Sequence, residues 1–194
     1  MALFGRRPTV YLLTSPAHLQ PVHRGRQVED PLLELLARWP DSGIVGSGTQ
    51  LDADNRISGF VIEVAVPARG AADSVEAMTR FLTPRLPVGS RLESQSGDVV
   101  PVGSLEGVIL RFSEIVRVDF TDPDEVEHNR ELDRIFAKVR HVVNPDPVLA
   151  SWRVMNDDSE IAVYGSSRER MHGLIKSQLG EELTTYGGRF LEVD

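Results

Sequence analysis

The short stretch Gly46-Ser47-Gly48-Thr49 is the part of the sequence whose residue types come nearest to a phosphate-binding loop. A nucleoside-triphosphate loop would need a lysine before a serine or threonine, and a dinucleotide loop would need a third glycine followed by a helix. Neither follows, because the chain runs into a polar turn and a second β-prone stretch. We therefore interpret these glycines as strand residues that mark a bulge or the close approach of another backbone.

A second group of chemically capable residues lies in SPAHLQPVHRGRQVED, before the first predicted helix. A loop of this length is a common place for function, and its cationic side chains suit an anion or a protein partner. The alternative is that Asp30 caps the helix and the other side chains face solvent, which the absence of a His-Glu-x-x-His spacing or any other metal-ligand pattern favours. The possible loop site consists of His18, His23, Arg24 and Arg26.

Acidic residues are concentrated between positions 119 and 133, where seven of them accompany a single basic residue, Arg130. Such a segment produces a negative field that would steer a basic protein partner. The alternative is a solvated helix face whose acids complement the helix dipole and aid solubility. The predicted partner-binding residues are Asp119, Asp122, Asp124, Glu125, Glu127 and Glu131.

Composition excludes several classes of function. The 194 residues include no cysteine and carry a formal net charge of −8, which excludes thiolate chemistry and disfavours a nucleic-acid binder. No Gly-x-Ser-x-Gly motif is present, so a catalytic residue is not indicated. No apolar run is long enough for a membrane span or a signal peptide, and we expect a cytoplasmic protein.

Four helices are predicted from their start signals. Asp30-Pro31 and Asp122-Pro123 each precede an amphipathic pattern, with the acid as cap and the proline at the first helical position. Capping boxes at Asp73-Ser74-Val75-Glu76 and Ser166-Ser167-Arg168-Glu169 begin the other two. The spacing from Asp30 to Asp73 nearly equals that from Asp122 to Ser166, which indicates a repeated unit.

Two β-prone stretches joined by a polar turn lie between the helices of each pair, and one more stretch lies on either side. Each half therefore reads βαββαβ, and the fold class is α+β: two tandem ferredoxin-like units with antiparallel sheets and helices on one face. The predicted domains are 1–94 and 105–194, with a linker at 95–104. Residues 115–120 are β-prone and have no counterpart in the first half. The predicted strands are 9–13, 44–51, 57–66, 90–93, 108–112, 148–155, 160–164 and 189–193.

Aromatic residues of the second half are predicted to serve the core. Alternation along SWRVMNDDSEIAVYG places Trp152 and Val154 on one face of a strand and Arg153 and Met155 on the other. An RNA-binding sheet would interleave aromatic and basic residues on one face, whereas lysine occurs only at positions 138 and 176. We therefore expect Trp152 to pack in the interior.

Several segments resemble a group of bacterial proteins that is loosely associated with the immunity proteins of bacterial toxin systems. The resemblance implies a cytosolic protein that has a protein partner and no cofactor. It covers most of the chain but consists of turns and strands, so no functional residue carries over from it. The segments are GSGTQLDADNRISGFVIEVAV, LPVGSRLE, VGSLEGVILRF, SWRVMNDDSEIAVYG and YGGRFLEV.

Three functional hypotheses follow from the sequence. The first is a non-catalytic protein-binding module that neutralises a basic toxin or enzyme through the acidic segment. The second is a small-molecule sensor with a ligand site between the two units. The third is an enzyme that uses His18 or His23, which would require a perturbed histidine in a polar pocket.

Overall fold

The computed structural model describes residues 8–68, 70–115, 123–144, 149–155 and 157–191, with the backbone alone for 123–129. The chain divides into two units, Met1–Leu105 and Glu106–Asp194. Each unit combines one antiparallel sheet with helices in the order βαββαβ. The predicted fold class, α+β with ferredoxin-like units, is confirmed. Within the described ranges, no helix is long and apolar enough to cross a membrane.

The sheet of the first unit has the order β2-β3-β1-β4-β5, and all of its neighbouring strands are antiparallel. Every second side chain of β3 from Phe60 to Val66 is fully buried, as expected for the face of a sheet that is covered by helices, although Ala65 on the other face is buried as well. The elements are β1 (Thr9–Ser15), α1 (Pro21–Arg24), a π-helical turn (Gly25–Glu29), α2 (Asp30–Leu36), β2 (Gly43–Leu51), β3 (Ile57–Val66), α3 (Ala71–Leu82), β4 (Arg91–Ser94) and β5 (Val99–Pro101).

The fifth strand corrects the predicted linker at 95–104. Val99–Pro101 pairs with β4 as an antiparallel hairpin, and the turn between them closes with Gly97 at a φ of 90°. Val102 and Leu105 are buried as well. These residues are β-branched or apolar and find partners on β4, so the stretch belongs to the first unit rather than to a connection between units.

The first helix begins ten residues earlier than predicted, at Pro21 instead of Pro31. Gln20 is its N-cap, and Asp30 has helical dihedral angles within it. Pro31 has no amide hydrogen to donate to a backbone hydrogen bond of the helix. The regular pattern of these bonds is interrupted in the wide π-helical turn directly before it. The predicted long loop is therefore mostly helix.

The sheet of the second unit has the order β7-β8-β6-β9 and repeats the arrangement of the first four strands of the other unit. Ile115 is buried outside any strand, and residues 116–120 of the predicted extra strand lie outside the described residues. The elements are β6 (Glu106–Phe112), α4 (Pro123–Val142), β7 (Leu149–Val154), β8 (Ser159–Gly165), α5 (Arg168–Gln178), α6 (Gly180–Thr185) and β9 (Gly188–Leu191).

Helix starts follow the sequence signals with small shifts. Ser167, rather than Ser166, caps α5 and accepts a hydrogen bond from the amide of Arg170 at 3.2 Å. Helix α3 begins at Ala71, two residues before the predicted cap, with Gly70 as its N-cap at a φ of 91°. Glycine tolerates that left-handed conformation, so it sets the start of the helix.

The core of the second unit lies between its helices and one face of its sheet. Ile135 and Val139 of α4 and Ile175 of α5 pack against the strands. Trp152 lies against this core, with its ring centroid 3.9 Å from that of Phe136. Trp152 is partly buried and packs against the core, as predicted, so its ring is not an exposed stacking platform.

Candidate functional site

The glycine-rich stretch is strand β2, as the sequence predicts. Gly46 and Gly48 lie opposite Glu63 and Val61 on β3, and the register shifts between Ile44 and Gly46 as at a bulge. A Cβ on Gly46 would come 3.3 Å from the carboxyl carbon of Glu63, so the glycine gives that side chain room. The stretch is consequently not a phosphate cradle.

The hydroxyls of the same strand bind a buried arginine. Arg24 is 6% exposed, and its Nη1 and Nη2 donate to Thr49 Oγ1 at 3.0 Å and Ser47 Oγ at 3.2 Å. Its Nε donates to Glu29 Oε1 at 2.6 Å. Its guanidinium carbon lies 6.0 Å from the ring centroid of Phe60. Because every nitrogen has a partner, Arg24 joins the helix to the sheet and is not open to an anion.

The π-helical turn explains why residues five apart can pair. In a π-helix the backbone bond runs from residue i to i+5, so Arg24 and Glu29 lie on one face across the wide turn. The sequence interpretation of Arg24 as solvent-facing is wrong, whereas Arg26 is exposed as expected. The missed signal is the spacing of four between Arg24, Val28 and Leu32, which continues the apolar face of the helix towards Pro21.

The two histidines of the predicted loop site are both half-buried. His18 lies between β1 and α1, and His23 lies on α1. Burial, followed by the positive charge of Arg26, lowers the pKa of His23. No group of metal-ligating residues forms among the described residues. The surroundings of His23 therefore disfavour its charged form.

A pH-dependent loss of stability is expected from His23. Its folded pKa lies below the ordinary value of 6.5, so the stability it contributes is present above that value and is lost as the pH falls through the folded pKa. Unfolding of the first unit can be followed through Trp39, with Trp152 replaced by phenylalanine. Urea titrations at successive pH values below neutrality should show a decline that is smaller in His23→Gln. An equal decline in both proteins would contradict this expectation.

The acidic segment is described only in part. Asp119 and Asp122 lie outside the described residues, and Asp124, Glu125 and Glu127 lie in the first turns of α4, where only the backbone is described. The partner-binding role predicted for this segment therefore stays a prediction.

Glu131 of this segment is engaged within the second unit. It accepts hydrogen bonds from Arg134 and, at 2.7 Å, from the hydroxyl of Tyr186. The Arg134 hydrogen bonds outweigh burial and lower the pKa of Glu131, and the Tyr186 hydrogen bond acts in the same direction. Glu131 thus fastens α4 to the turn that follows α6.

A buried charge cluster, which the sequence analysis did not find, lies on the other face of the second sheet. Glu160 on β8 is 2% exposed and lies opposite both Arg111 on β6 and Arg153 on β7. Its Oε2 is 3.3 Å from Nη2 of Arg111 and 3.1 Å from Nη2 of Arg153. Asp158 lies 3.4 Å from Nε of Arg111. The two positive and two negative charges balance, which is the pattern of a structural network.

The sequence contains part of the signal for this cluster. The turn predicted around positions 156–158 places Arg153 and Glu160 near each other on paired strands, and alternation places Arg153 away from the helices. The contribution of Arg111 depends on which strand lies beside β8. The order of strands in the sheet determines which strand neighbours β8, and the local sequence pattern does not contain that order.

A cleft of about 570 Å³ lies within the first unit, between the start of α3 and the helix-facing side of β1, β4 and β5. Tyr11 and Ser94 are paired across β1 and β4, and Val100 on β5 projects on the same side. The fifth strand therefore extends the sheet beside α3 and forms one wall. The lining residues are Thr9, Tyr11, Ala72, Val75, Glu76, Ser94, Gln95, Ser96, Asp98 and Val100.

Some polar groups of this cleft have hydrogen-bond partners in the protein, and others are available to a ligand. Ser96 donates to Asp98 Oδ2 at 2.6 Å, and Ser94 lies 3.3 Å from the same oxygen. Glu76 Oε1 accepts from Arg80 at 2.6 Å. Within the described part of the chain, the hydroxyl of Tyr11 has no hydrogen-bond partner. A mainly apolar wall with a few available polar groups is the usual form of a small-molecule site.

Sequence reasoning missed this cleft because it assigned residues 95–104 to a linker. The four polar residues of the hairpin turn were visible in SQSGD, but their position beside α3 depends on the pairing of β5 with β4. The cleft contains neither His18 nor His23, so the predicted loop site and the cleft are separate places in the first unit.

Comparisons with known proteins identify no family. No protein-family model matches the chain, and no curated protein matches it. A solved structure provisionally described as a glycine cleavage system transcriptional repressor is 11% identical, with a TM-score of 0.31, and the match covers 96% of this chain and 99% of that one.

Two other solved structures are similar to the same degree. One, provisionally described as a monooxygenase from Lactobacillus acidophilus, is 10% identical, with a TM-score of 0.32 and coverage of 95% of this chain and 92% of that one. The other, described as a heme-binding protein from Thermus thermophilus, is 9% identical, with a TM-score of 0.30 and coverage of 95% and 89%. At these scores the likeness carries no argument about function.

Proposed function

We propose that this protein is a non-catalytic small-molecule-binding protein whose ligand occupies the cleft beside α3. The observation that supports the proposal is the cleft itself, whose volume of about 570 Å³ lies within the range of roughly 300–1,000 Å³ that is usual for such sites. Its walls are formed by a helix and three strands, so its shape is set by regular structure.

The chemistry of the cleft suits binding better than catalysis. Its described lining residues provide hydroxyls, an amide and two carboxylates but no histidine, lysine or cysteine. Within the described ranges, the only candidate base beside Ser94 and Ser96 is Asp98, which accepts from both to close the hairpin turn. An activated serine is usually paired with a histidine or lysine base, and neither residue type lines the cleft among the described residues.

The proposal differs from the sequence hypothesis of a ligand between the two units, because every described residue that lines this cleft belongs to the first unit. The alternative of a protein partner that is bound by residues 119–133 stays a proposal. The predicted acidic surface includes Glu131, but the carboxylate of Glu131 already accepts hydrogen bonds from Arg134 and Tyr186, which argues against a role in binding a partner.

Filling the cleft should abolish ligand binding. Ala72 is exposed on the first turn of α3 and lines the cleft, so Ala72→Trp places a large side chain there without disturbing the core. Titration with the neutral fluorescent probe N-phenyl-1-naphthylamine should show enhanced emission with the native protein. We expect at least about tenfold weaker binding with the variant, because the site volume is lost.

A matched variant controls for the added indole ring. Ala37 is exposed at the end of α2 and does not line the cleft, so Ala37→Trp should bind the probe like the native protein. Equal binding by all three proteins would contradict the proposal, because the probe would then occupy another surface. Circular dichroism before titration ensures that each protein is folded.

A further inference from the structure

The charge of the cleft restricts its ligand. Among the described residues, its lining contains two carboxylates, Glu76 and Asp98, and no basic side chain. Glu76 forms an ion pair with Arg80, which does not line the cleft. Both of these side chains are more than two-thirds exposed. Asp98 has no basic partner in the described part of the chain. The local field is therefore negative and opposes a carboxylate or phosphate ligand.

Asp98 presents one oxygen in a fixed position. Its Oδ2 accepts from Ser96 at 2.6 Å, and its backbone amide donates to Ser94 Oγ at 3.1 Å. The first contact orients the carboxylate, and the second fixes the backbone of Asp98 in the β4–β5 turn. Its second oxygen, Oδ1, has no hydrogen-bond partner among the described residues. An oriented carboxylate with an open oxygen is an acceptor for an N–H donor, and a charged donor makes the stronger bond.

The opposite wall suits the apolar part of such a ligand. Val75 on α3 and Val100 on β5 provide hydrocarbon surface, and the ring of Tyr11 on β1 lines the same cleft. The hydroxyl of Tyr11 is available to donate or accept one further hydrogen bond. The cleft thus has an apolar wall and an acidic rim.

We propose that this cleft selects an amphipathic amine, whose apolar body lies against Val75 and Val100 and whose ammonium group binds Asp98. This inference rests on the proposed small-molecule function of the same cleft. An ammonium has three N–H donors and no acceptor, so it complements the open Asp98 oxygen and the Tyr11 hydroxyl without a buried charge being left unpaired.

Three probes that share a dansyl group and a pentyl linker test the class of ligand. Dansylcadaverine ends in an ammonium, its N-acetyl derivative in a neutral amide, and N-dansyl-6-aminohexanoic acid in a carboxylate. Fluorescence titration of the full-length protein should show the tightest binding for the ammonium probe, weaker binding for the amide and the weakest for the carboxylate. Each step should be about two- to fivefold in Kd, the range for an ion pair open to solvent. The preference should decline with added salt.

Two variants test whether the preference for the ammonium probe depends on Asp98. Asp98→Asn keeps a carbonyl acceptor for the serine hydroxyls and removes the charge, so it should bind the ammonium probe no better than the acetylated probe. Asp54→Asn, in the exposed turn between β2 and β3, should keep the native ranking. A ranking that persists in Asp98→Asn would overturn the assignment to this residue.

The outcomes distinguish the preference for an amine from the proposed binding of a small molecule in the cleft, on which that preference rests. Equal binding of the three probes, lost in Ala72→Trp, would overturn the amine preference and leave the cleft as a ligand site. Tightest binding of the carboxylate probe would overturn it as well. Absence of binding by all three probes, together with no response to N-phenyl-1-naphthylamine, would overturn both proposals.

Discussion

Replacing Glu160 by alanine is expected to lower the free energy of unfolding of the second unit by about 3–5 kcal/mol, the range for removing one partner of a buried ion pair. Glu160 is 2% exposed and accepts from both Arg111 and Arg153. Its loss leaves Arg153 without an ion-pair partner among the described residues and leaves Arg111 with Asp158 alone. The cost comes mainly from the arginines that remain, because their charges stay buried.

Urea unfolding followed by Trp152 fluorescence, in a Trp39→Phe background, measures this change in the second unit. Glu169→Ala is the matched control, since Glu169 is exposed at the start of α5 and should cost no more than about 1 kcal/mol. Adding Arg153→Met to Glu160→Ala should recover part of the loss, because one unpaired charge is removed with its partner. A loss below about 1 kcal/mol for Glu160→Ala would show that solvent replaces the carboxylate.

Replacing Arg24 by methionine should destabilise the first unit by about 2–4 kcal/mol. Methionine keeps much of the apolar stem but provides no donors, so Glu29 loses its ion pair and Ser47 and Thr49 lose their hydrogen bonds. The expected cost is smaller than for Glu160 because Glu29 is 20% exposed and can be partly solvated.

Trp39 fluorescence in a Trp152→Phe background reports the effect of Arg24→Met. Arg26→Met provides the comparison, because Arg26 is exposed two residues away in the same helical segment and its replacement should change stability by about 0.5 kcal/mol or less. Similar losses for the two variants would contradict the role of Arg24 as the contact between helix and sheet.

Much of the fold can be predicted from local sequence patterns. Alternation of apolar residues indicated β3 at the same residues that the structure assigns, Ile57–Val66, and capping signals placed the starts of α4 and α5 within one or two residues. Strand and helix periodicity depends on neighbouring residues in the chain, so a single sequence contains this information. The order of strands within each sheet is not contained in these local patterns, and it is the structure that gives it as β2-β3-β1-β4-β5 and β7-β8-β6-β9.

The early start of the first helix shows where local signals mislead. Asp30-Pro31 has the residue types of a helix start, and Gln20-Pro21, ten residues earlier, also places a proline at the first helical position. The choice between them depends on the burial of Arg24 and Val28 against the sheet and on the hydroxyls of β2. These contacts join residues more than twenty positions apart, so the local pattern does not contain them.

The sequence by itself determined the two βαββαβ units, the strand character of Gly46-Ser47-Gly48-Thr49 and the packing of Trp152 against the core. Only the tertiary structure decided which polar side chains meet. It paired Arg24 with Glu29 through a π-helical turn, collected Arg111, Arg153 and Glu160 from three strands, and added β5 to form the cleft beside α3. The physical reason is that periodicity is a local property of the chain, whereas sites form where strand register and helix packing bring distant residues together.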